Sequence, residues 1–347
     1  MKQKPDFKKE KTDMDQRLKE KIGLFAANRM VISKEFALDM EISHMASALL
    51  FALQDKEADT ERLKEVKKIL KSKTSVLSAF RESSEPMVVA GMALSSNPEQ
   101  YLDDLIWIFN IVKKKHALEE NYALLSSMII LDSGRKAGTE AIKEKTDAIM
   151  KAMSKEHPIL TSSEDLPFAT LLAMTDRSVD AIISDMEECY TYAKKELKIK
   201  ADADSIQAIA QIFALSGGNI RSRCDKIADL FDSFKAHKAK FDGGLLFPAL
   251  ASLVDIDMGT DALVEEIIEA ADLLKTNKGF GNFSLENKDR LMFAAVLASE
   301  VFKADTGIFG SNVNQAIMTN SVISMIIAEE VCMMCVMFMM MSSANNN

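Results

Sequence analysis

Glycine and proline are scarce in this chain: 13 and 6 among 347 residues, well below ordinary usage. With so few backbone punctuators, a fold of many short strands and tight hairpins is excluded, and long helices with short connections are expected. Alternating β-type runs with Asn-Gly turns are missing as well. The four cysteines, Cys189, Cys224, Cys332 and Cys335, are too few and too unevenly placed for a disulfide framework. They predict a reducing compartment, the cytoplasm. The opening MKQKPDFKKEKTDMDQRLKEK is charged throughout and lacks the apolar core of a secretory signal. Four scattered histidines form no Ser-His-Asp or Cys-His set, so no catalytic residues are assigned. The formal net charge of −9 argues against a nucleic-acid partner.

What the chain does have is a recurrence. Small-and-apolar segments HMASALLFALQ (44–54), PMVVAGMALSS (86–96), YALLSSMIILD (122–132), FATLLAMTDRS (168–178), IQAIAQIFALS (206–216), LFPALASLVDI (246–256) and RLMFAAVLASE (290–300) follow one another. Their closing apolar residues, Leu53, Leu94, Leu131, Met174, Leu215, Val254 and Leu297, are 41, 37, 43, 41, 39 and 43 residues apart. Each is followed by a turn and a longer amphipathic helix. In PEQYLDDLIWIFNIVKKK (98–115), for instance, Leu102, Leu105, Ile106, Phe109 and Val112 share one face. Pro98 suits a first helical position and Asn97 before it suits a cap. The expectation is about seven helical hairpins, short helices inside and long helices outside, stacked as an α-solenoid or as an α/α superhelix or toroid. A charged helix over about 14–30 precedes them, and whether the stack closes is open. The expected layout is a charged tail over 1–13, one helical-repeat domain over 14–343 and a polar tail over 344–347.

Charge follows the long helices. Their starts carry acids (Asp59, Glu61, Glu99, Asp103, Asp104, Asp176, Asp180) and their ends carry lysines (Lys71, Lys73, Lys113, Lys114, Lys115, Lys194, Lys195). Both signs oppose the helix macrodipole. In a stack of parallel hairpins the same layout makes one rim basic, and Lys113, Lys114 and Lys115 become candidates for docking a protein partner or another copy.

HPILTSSEDLPFATLLA (157–173) is the most motif-like stretch. Thr161, Ser162 or Ser163 can cap a helix starting near Glu164, with Glu164 and Asp165 in its first turn. The five polar residues are also candidates for an interaction surface facing the channel. Near the other end, VCMMCVMFMMM (331–341) is eleven residues without charge or hydroxyl. It is too short for a transmembrane span, which needs about twenty apolar residues. On one helix Met325, Cys332, Cys335 and Met339 would share a face, a soft donor set suited to Cu(I). Apolar surroundings raise a thiol's pKa and oppose that use. Burial as a last, all-round apolar helix is the expectation, and no cofactor is predicted.

Three weaker patterns remain. Glu41 and His44 have E-x-x-H spacing but no second copy. Asp255, Asp257, Asp261 and Glu266 fall at calcium-loop positions, with Gly259 one place early. Asp103-Asp104 lacks the third acid of an aspartate-rich motif.

KEHPILTSSEDLPFATLLA and LKSKTSVLSAFRESSEPMVVAGMAL, followed by an apolar small-residue helix, resemble an uncharacterised bacterial family, domain-of-unknown-function family 4003, found mainly in Gram-positive bacteria. The resemblance extends from about Lys19 to Ser343. It departs at the C-terminal helix, where Met and Cys stand in place of an Ala-rich end. It implies an architecture and a bacterial cytoplasm, and no activity or functional residue. The function expected from the residues is a non-catalytic interaction scaffold. The alternatives are a small-ligand binder or enzyme with a cavity between inner helices, and a Cu(I)-handling protein.

Overall fold

The computed structural model describes residues 14–36, 41–76, 78–81, 84–115, 120–216, 218–239, 241, 244, 247–282 and 284–303. Among them every regular element is helical. The long helices are α1 (Gln16–Glu35), α3 (Thr60–Lys73), α5 (Pro98–Val112), α7 (Thr139–Glu156), α9 (Val179–Thr191), α11 (Ile220–Ala236) and α12 (Thr260–Thr276). At the inner positions stand α2 (Glu41–Leu53), α4 (Glu85–Leu94), α6 (Glu120–Asp132), α8 (Leu166–Ala173), α10 (Ala203–Ser216) and α13 (Asn287–Lys303), the last as long as the outer helices, plus a 3₁₀ segment, Phe247–Leu253, that fills the sixth inner position; these are called the short helices below.

The expected cap at Asn97 forms, and two others stand beside it. Asn97 Oδ1 accepts from the Gln100 N–H at 3.1 Å, with Pro98 at the first helical position. Asn219 Oδ1 accepts from the Ser222 N–H at 3.0 Å, and Asp59 Oδ1 from that of Arg62 at 2.7 Å. Each side chain satisfies a donor that the helix leaves unpaired.

The pairing within the stack differs in phase from the expectation. Six of the seven long helices pack most extensively on the short helix that follows them: α1 on α2, α3 on α4, α5 on α6, α7 on α8, α9 on α10, α12 on α13; α11 packs most on α12. The tight turns after the short helices therefore join neighbouring hairpins. The N-terminal helix does not merely precede the stack either. α1 is the outer rod of the first hairpin and buries Leu18, Ile22, Phe25, Ala26 and Ile32.

The outer layer closes on itself. α1 packs on α3, α3 on α5, α5 on α7, α7 on α9, α9 on α11, α11 on α12, and α12 back on α1. The inner layer is closest-packed along two arcs, α2 with α4, and α6 through α8, α10 and Phe247–Leu253 to α13. Three outer steps share one stagger. The seventh residue of α7, Lys145, donates to the Thr175 carbonyl, 2.5 Å, in the turn leading to α9. The seventh residue of α11, Lys226, donates to Thr260 Oγ1, 3.1 Å, at the start of α12. The seventh residue of α12, Glu266, accepts from the backbone N–H of Asp15, the cap of α1, at 3.1 Å. The step that joins the two ends of the described chain thus repeats the geometry of interior steps. The architecture is a closed α/α toroid of seven hairpins among the described residues.

The short helices have no polar face. All eight residues of α8 are buried, as are Arg290 to Ser299 in α13. Small residues predominate in several: Ala46, Ser47, Ala48 and Ala52 in α2, and Ala294, Ala295, Ala298 and Ser299 in α13. The expected tails, 1–13 and 344–347, and the C-terminal stretch lie outside the described residues. No described helix is long and apolar enough to cross a membrane.

Candidate functional site: the loop-bearing rim and the channel mouth

Because long and short rods alternate in direction, one rim gathers the turns that follow short helices and the other the longer connections that follow long helices. Among the described residues the second rim holds 74–76, 78–81, 84, 113–115, 157–165 and 197–202 as well as the lysine-rich ends of the long helices.

On this rim the basic triad is not uniform. Lys113 is engaged: its Nζ lies 4.9 Å from the Phe109 ring centroid and 3.6 Å from Glu120 Oε1, tying α5 to α6. Lys114 is exposed, and the side chain of Lys115 lies outside the described residues. Lys155, Lys194, Lys195 and Lys238 are exposed at equivalent ends. Two loop residues among them break the pattern of buried apolar groups. Ile159 is 94% exposed and Val76 66% exposed.

The 157–165 segment is built as a turn. Thr161 Oγ1 donates to the His157 carbonyl, 3.0 Å. Ser162 Oγ accepts from the Glu164 N–H, 3.2 Å, and Asp165 Oδ2 accepts from the Ser162 N–H, 2.9 Å. Ser162 is therefore the cap, in a reciprocal capping box, and the helix it starts opens with a 3₁₀ turn, Ser163–Asp165. Ser162 and Glu164 face solvent and Ser163 is half-buried. Pro158 precedes, and the ring of His157 pairs with Glu187 Oε1 at 2.7 Å and packs on Tyr190.

Asp165 leads inward. It is buried, and its Oδ1 accepts from Gln207 Nε2 at 3.1 Å and Gln211 Nε2 at 2.5 Å. Burial pushes its carboxyl above the ordinary range, against the hydrogen bonds from Ser162, Gln211 and Gln207 that favour the charged form. A carboxylate only accepts, so both amides must present their NH₂ groups to it. That leaves Gln207 Oε1 and Gln211 Oε1 buried with no partner among the described residues. Chemically the cluster can accept hydrogen bonds from a donor, but no nucleophile or general base stands beside it in the described hydrogen-bond network. The two glutamines carry no motif. Their signal in the sequence is a pair of amides four residues apart in an otherwise apolar helix.

The remaining candidates separate. Glu41 pairs with Arg29, whose Nε donates to Glu41 Oε1 at 2.6 Å. His44 Nε2 is 2.7 Å from the Phe36 carbonyl oxygen, while its Nδ1 sits 3.5 Å from Glu41 Oε2, too far for a well-formed bond. The calcium-loop acids point three ways: Asp255 to Arg223, Asp261 to the Ser233 hydroxyl at 2.6 Å, and Glu266 to Asp15. Asp103 pairs with Lys73 at 2.7 Å, and Asp104 with Lys136 at 2.5 Å. These acids link neighbouring hairpins. No group of three potential metal ligands occurs among the described residues. Met325, Cys332, Cys335 and Met339 lie outside them.

Comparison with known proteins adds a family and no activity. The uncharacterized protein YeaA of Bacillus subtilis (strain 168) is 23% identical over 183 residues, which is 51% of this chain and 54% of that protein. The match thus spans about half the length of that relative. No solved structure matches. The family model described as "Protein of unknown function (DUF4003)" matches residues 30–330 and stops just before the Met/Cys stretch at 331. On that match the chain belongs to the DUF4003 family, whose function is unknown.

Proposed function

We propose that this protein is a non-catalytic interaction scaffold that docks an acidic protein partner on its loop-bearing rim. One observation carries the reading: Ile159 and Val76 stand exposed on the rim that also gathers exposed lysines. Lysine ends alone are explained by helix dipoles and solvation. Large apolar side chains held in water are not. A charged patch steers encounter, and apolar anchors inside it supply affinity. The cytoplasm is the compartment we favour. Cys189 and Cys224, free and 3.5 Å apart, are in keeping with a reducing environment.

The test compares wild type with a variant carrying Lys114→Glu, Lys155→Glu and Ile159→Ser. Each is used to capture proteins from a lysate of the organism of origin, at low and moderate salt, and weighed by light scattering. The expected result is an acidic partner whose salt-sensitive retention falls tenfold or more in the variant. Identical captured proteins and identical mass would overturn the proposal. A wild-type mass that halves in the variant would instead identify the partner as a second copy.

A second reading, binding of a small donor-bearing ligand at the channel mouth, is favoured by the unpartnered amide oxygens of Gln207 and Gln211. Its discriminating variant is Gln211→Leu. Under the ligand reading that change abolishes binding and leaves partner capture intact.

A further inference from the structure

One contact in the outer wall differs from its counterparts. Where α9 lies against α11, the sulfurs of Cys189 and Cys224 are 3.5 Å apart, both buried and both free thiols. The eleventh residue of three other long helices is a buried aliphatic: Ile108 in α5, Ile149 in α7 and Leu230 in α11. In α9 that place is Cys189. The wall is filled at those steps by branched side chains, so packing alone does not ask for two sulfurs in contact here.

The backbone beside the contact is irregular as well. α9 ends at Thr191 and runs on as one π-helical turn, Tyr192–Glu196, closed by the Leu197 N–H donating to the Tyr192 carbonyl at 3.0 Å. The Tyr192 N–H is shared between the carbonyls of Glu188 and Cys189, so Cys189 stands at the junction of the two windings. Such turns are rare and concentrate at functional sites. Two polar links bracket the sulfurs: Arg221 Nε with Glu188 Oε1 at 3.1 Å, and the Tyr192 hydroxyl with Asp225 at 2.8 Å. Both lie at the surface, where such pairs are weak. The edge over the thiols therefore opens more readily than the aromatic seam.

We propose that Cys189 and Cys224 form a redox latch: hydrogen peroxide joins them as a disulfide that staples α9 to α11 within one chain. A disulfide holds its sulfurs about 2.05 Å apart, so the observed pair must close by about 1.5 Å. Rotation about the two Cα–Cβ bonds and a small shift at the π turn supply that approach. One sulfur, as thiolate, attacks the O–O bond and becomes a sulfenic acid, and the departing hydroxide takes up a proton as water. The second sulfur then displaces the sulfenic oxygen as a second water. Two hydrogens and two electrons pass to the peroxide, and one S–S bond replaces two S–H bonds. Burial sets the pace. Contact with the Cys224 thiol, and then burial, push the Cys189 thiol up, and the thiolate is the reactive form. The pair thus rests as thiols under reducing conditions, ignores a brief oxidant and responds to a sustained one. The loop closed by the bond, 189 to 224, contains the rim connection 197–202 and α10 with its Gln207 and Gln211. Oxidation therefore stiffens one part of the rim and one inner rod. The latch does not depend on what binds the rim, so it and the docking surface stand or fall separately.

The test incubates the reduced full-length chain for hours with a few-fold molar excess of hydrogen peroxide. Remaining thiols are then blocked under denaturing conditions, and peptides are mapped without reductant. Mapping separates this bond from any made by Cys332 and Cys335. The expected result is a Cys189–Cys224 cross-link within one chain. The urea midpoint should rise on oxidation and fall back with dithiothreitol, which leaves any methionine sulfoxide in place. Amide exchange over residues 190–223 should slow in the oxidised form and recover with the same reductant. Cys224→Ser, treated alike, should show neither the cross-link nor the reversible shift. Both thiols recovered fully blocked, oxidised separately to sulfinic or sulfonic acids, or bonded to other cysteines or other chains would overturn the proposal. A cross-link that changes neither the midpoint nor the exchange would overturn it too, since a bond without mechanical effect latches nothing.

Discussion

The step from α9 to α11 and the step from α12 to α1 have the same form and different chemistry. In the first, two sulfurs meet in a dry contact and the edges are tied by polar pairs: Arg221 with Glu188, and the Tyr192 hydroxyl with Asp225. The second brings together residues about 250 positions apart and is built around aromatic rings. Phe25 of α1 meets Phe280 edge-on at 5.2 Å and Phe293 of α13 at 5.2 Å. Arg29 donates to the Lys278 carbonyl at 3.3 Å and pairs with Glu41. Arg290, buried, donates to the carbonyls of Phe280 and Leu285 at 2.9 and 2.5 Å and so holds the connecting loop against α1. Interior steps are reinforced by a short covalent turn. The seam has none, and aromatic packing with the Arg29 and Arg290 hydrogen bonds stands in its place.

The largest effect is expected from Phe25→Ala. Truncating a fully buried Phe costs about 3–5 kcal/mol. In a closed ring that loss should lower the midpoint of a single urea transition for the whole chain. In an open stack it would melt α1 alone, ahead of the rest, because solenoid modules depend only on their neighbours. A separate early transition followed by an unshifted main one would argue against closure.

Next comes Gly279→Ala. Gly279 has φ +90°, and a Cβ there would collide with the Arg29 guanidinium. Backbone strain and displacement of Arg29 together should cost about 1–3 kcal/mol. Gly281 has open space around its Cβ position, so Gly281→Ala should stay within about 0.5 kcal/mol. Equal effects at the two glycines would leave Arg29 with no part in holding the seam.

Acid should then loosen the seam before the wall. Burial raises the Glu41 carboxyl, but the nearby His44 imidazole and the hydrogen-bonded, charged Arg29 outweigh it and leave the pKa below the ordinary value. A group depressed on folding contributes stability at pH above its unfolded value and loses it as pH falls through the folded value. Wild type should therefore lose stability below about pH 4.5, the ordinary range of Glu, more steeply than Glu41→Gln. Parallel curves would mean that Glu41 titrates as it does in the unfolded chain.

The division between rods was legible in the sequence because inner rods bury every side and outer rods only one. The Ala- and Ser-rich segments marked the former, and Leu102, Leu105 and Phe109 the latter. Asn97 announced its cap. Closure was not legible, because it depends on how much each hairpin rotates against the next, and no single residue encodes that angle. The phase of pairing was missed for a related reason: the tight turn suggested the closest partner, whereas packing area chose the helix across the longer loop. Phe25 and Phe280 looked like ordinary core residues, and only contact between distant residues gives them a role. Of the interaction candidates, Ser162 and Asp165 proved to be paired in a cap, Lys113 proved to be engaged within the wall, and Gln207 and Gln211 carried no motif that could have drawn attention.

The smallest expected effect lies on the wall, opposite in sign to the seam. Asp165 has its pKa raised by burial, so the folded state holds its proton to higher pH than the unfolded chain does. Between the ordinary carboxylate value and the raised one, the folded protein binds more protons, and its stability must rise as pH falls through that window. Asp165→Asn keeps an acceptor for the Ser162 N–H and removes the titration. Wild type should therefore gain stability relative to the variant as pH falls through that window. Urea midpoints for both proteins between pH 4 and 6 measure the difference. A loss relative to the variant instead would mean that the glutamine amides outweigh burial, and that Asp165 is held charged as a fixed acceptor at the mouth of the ring.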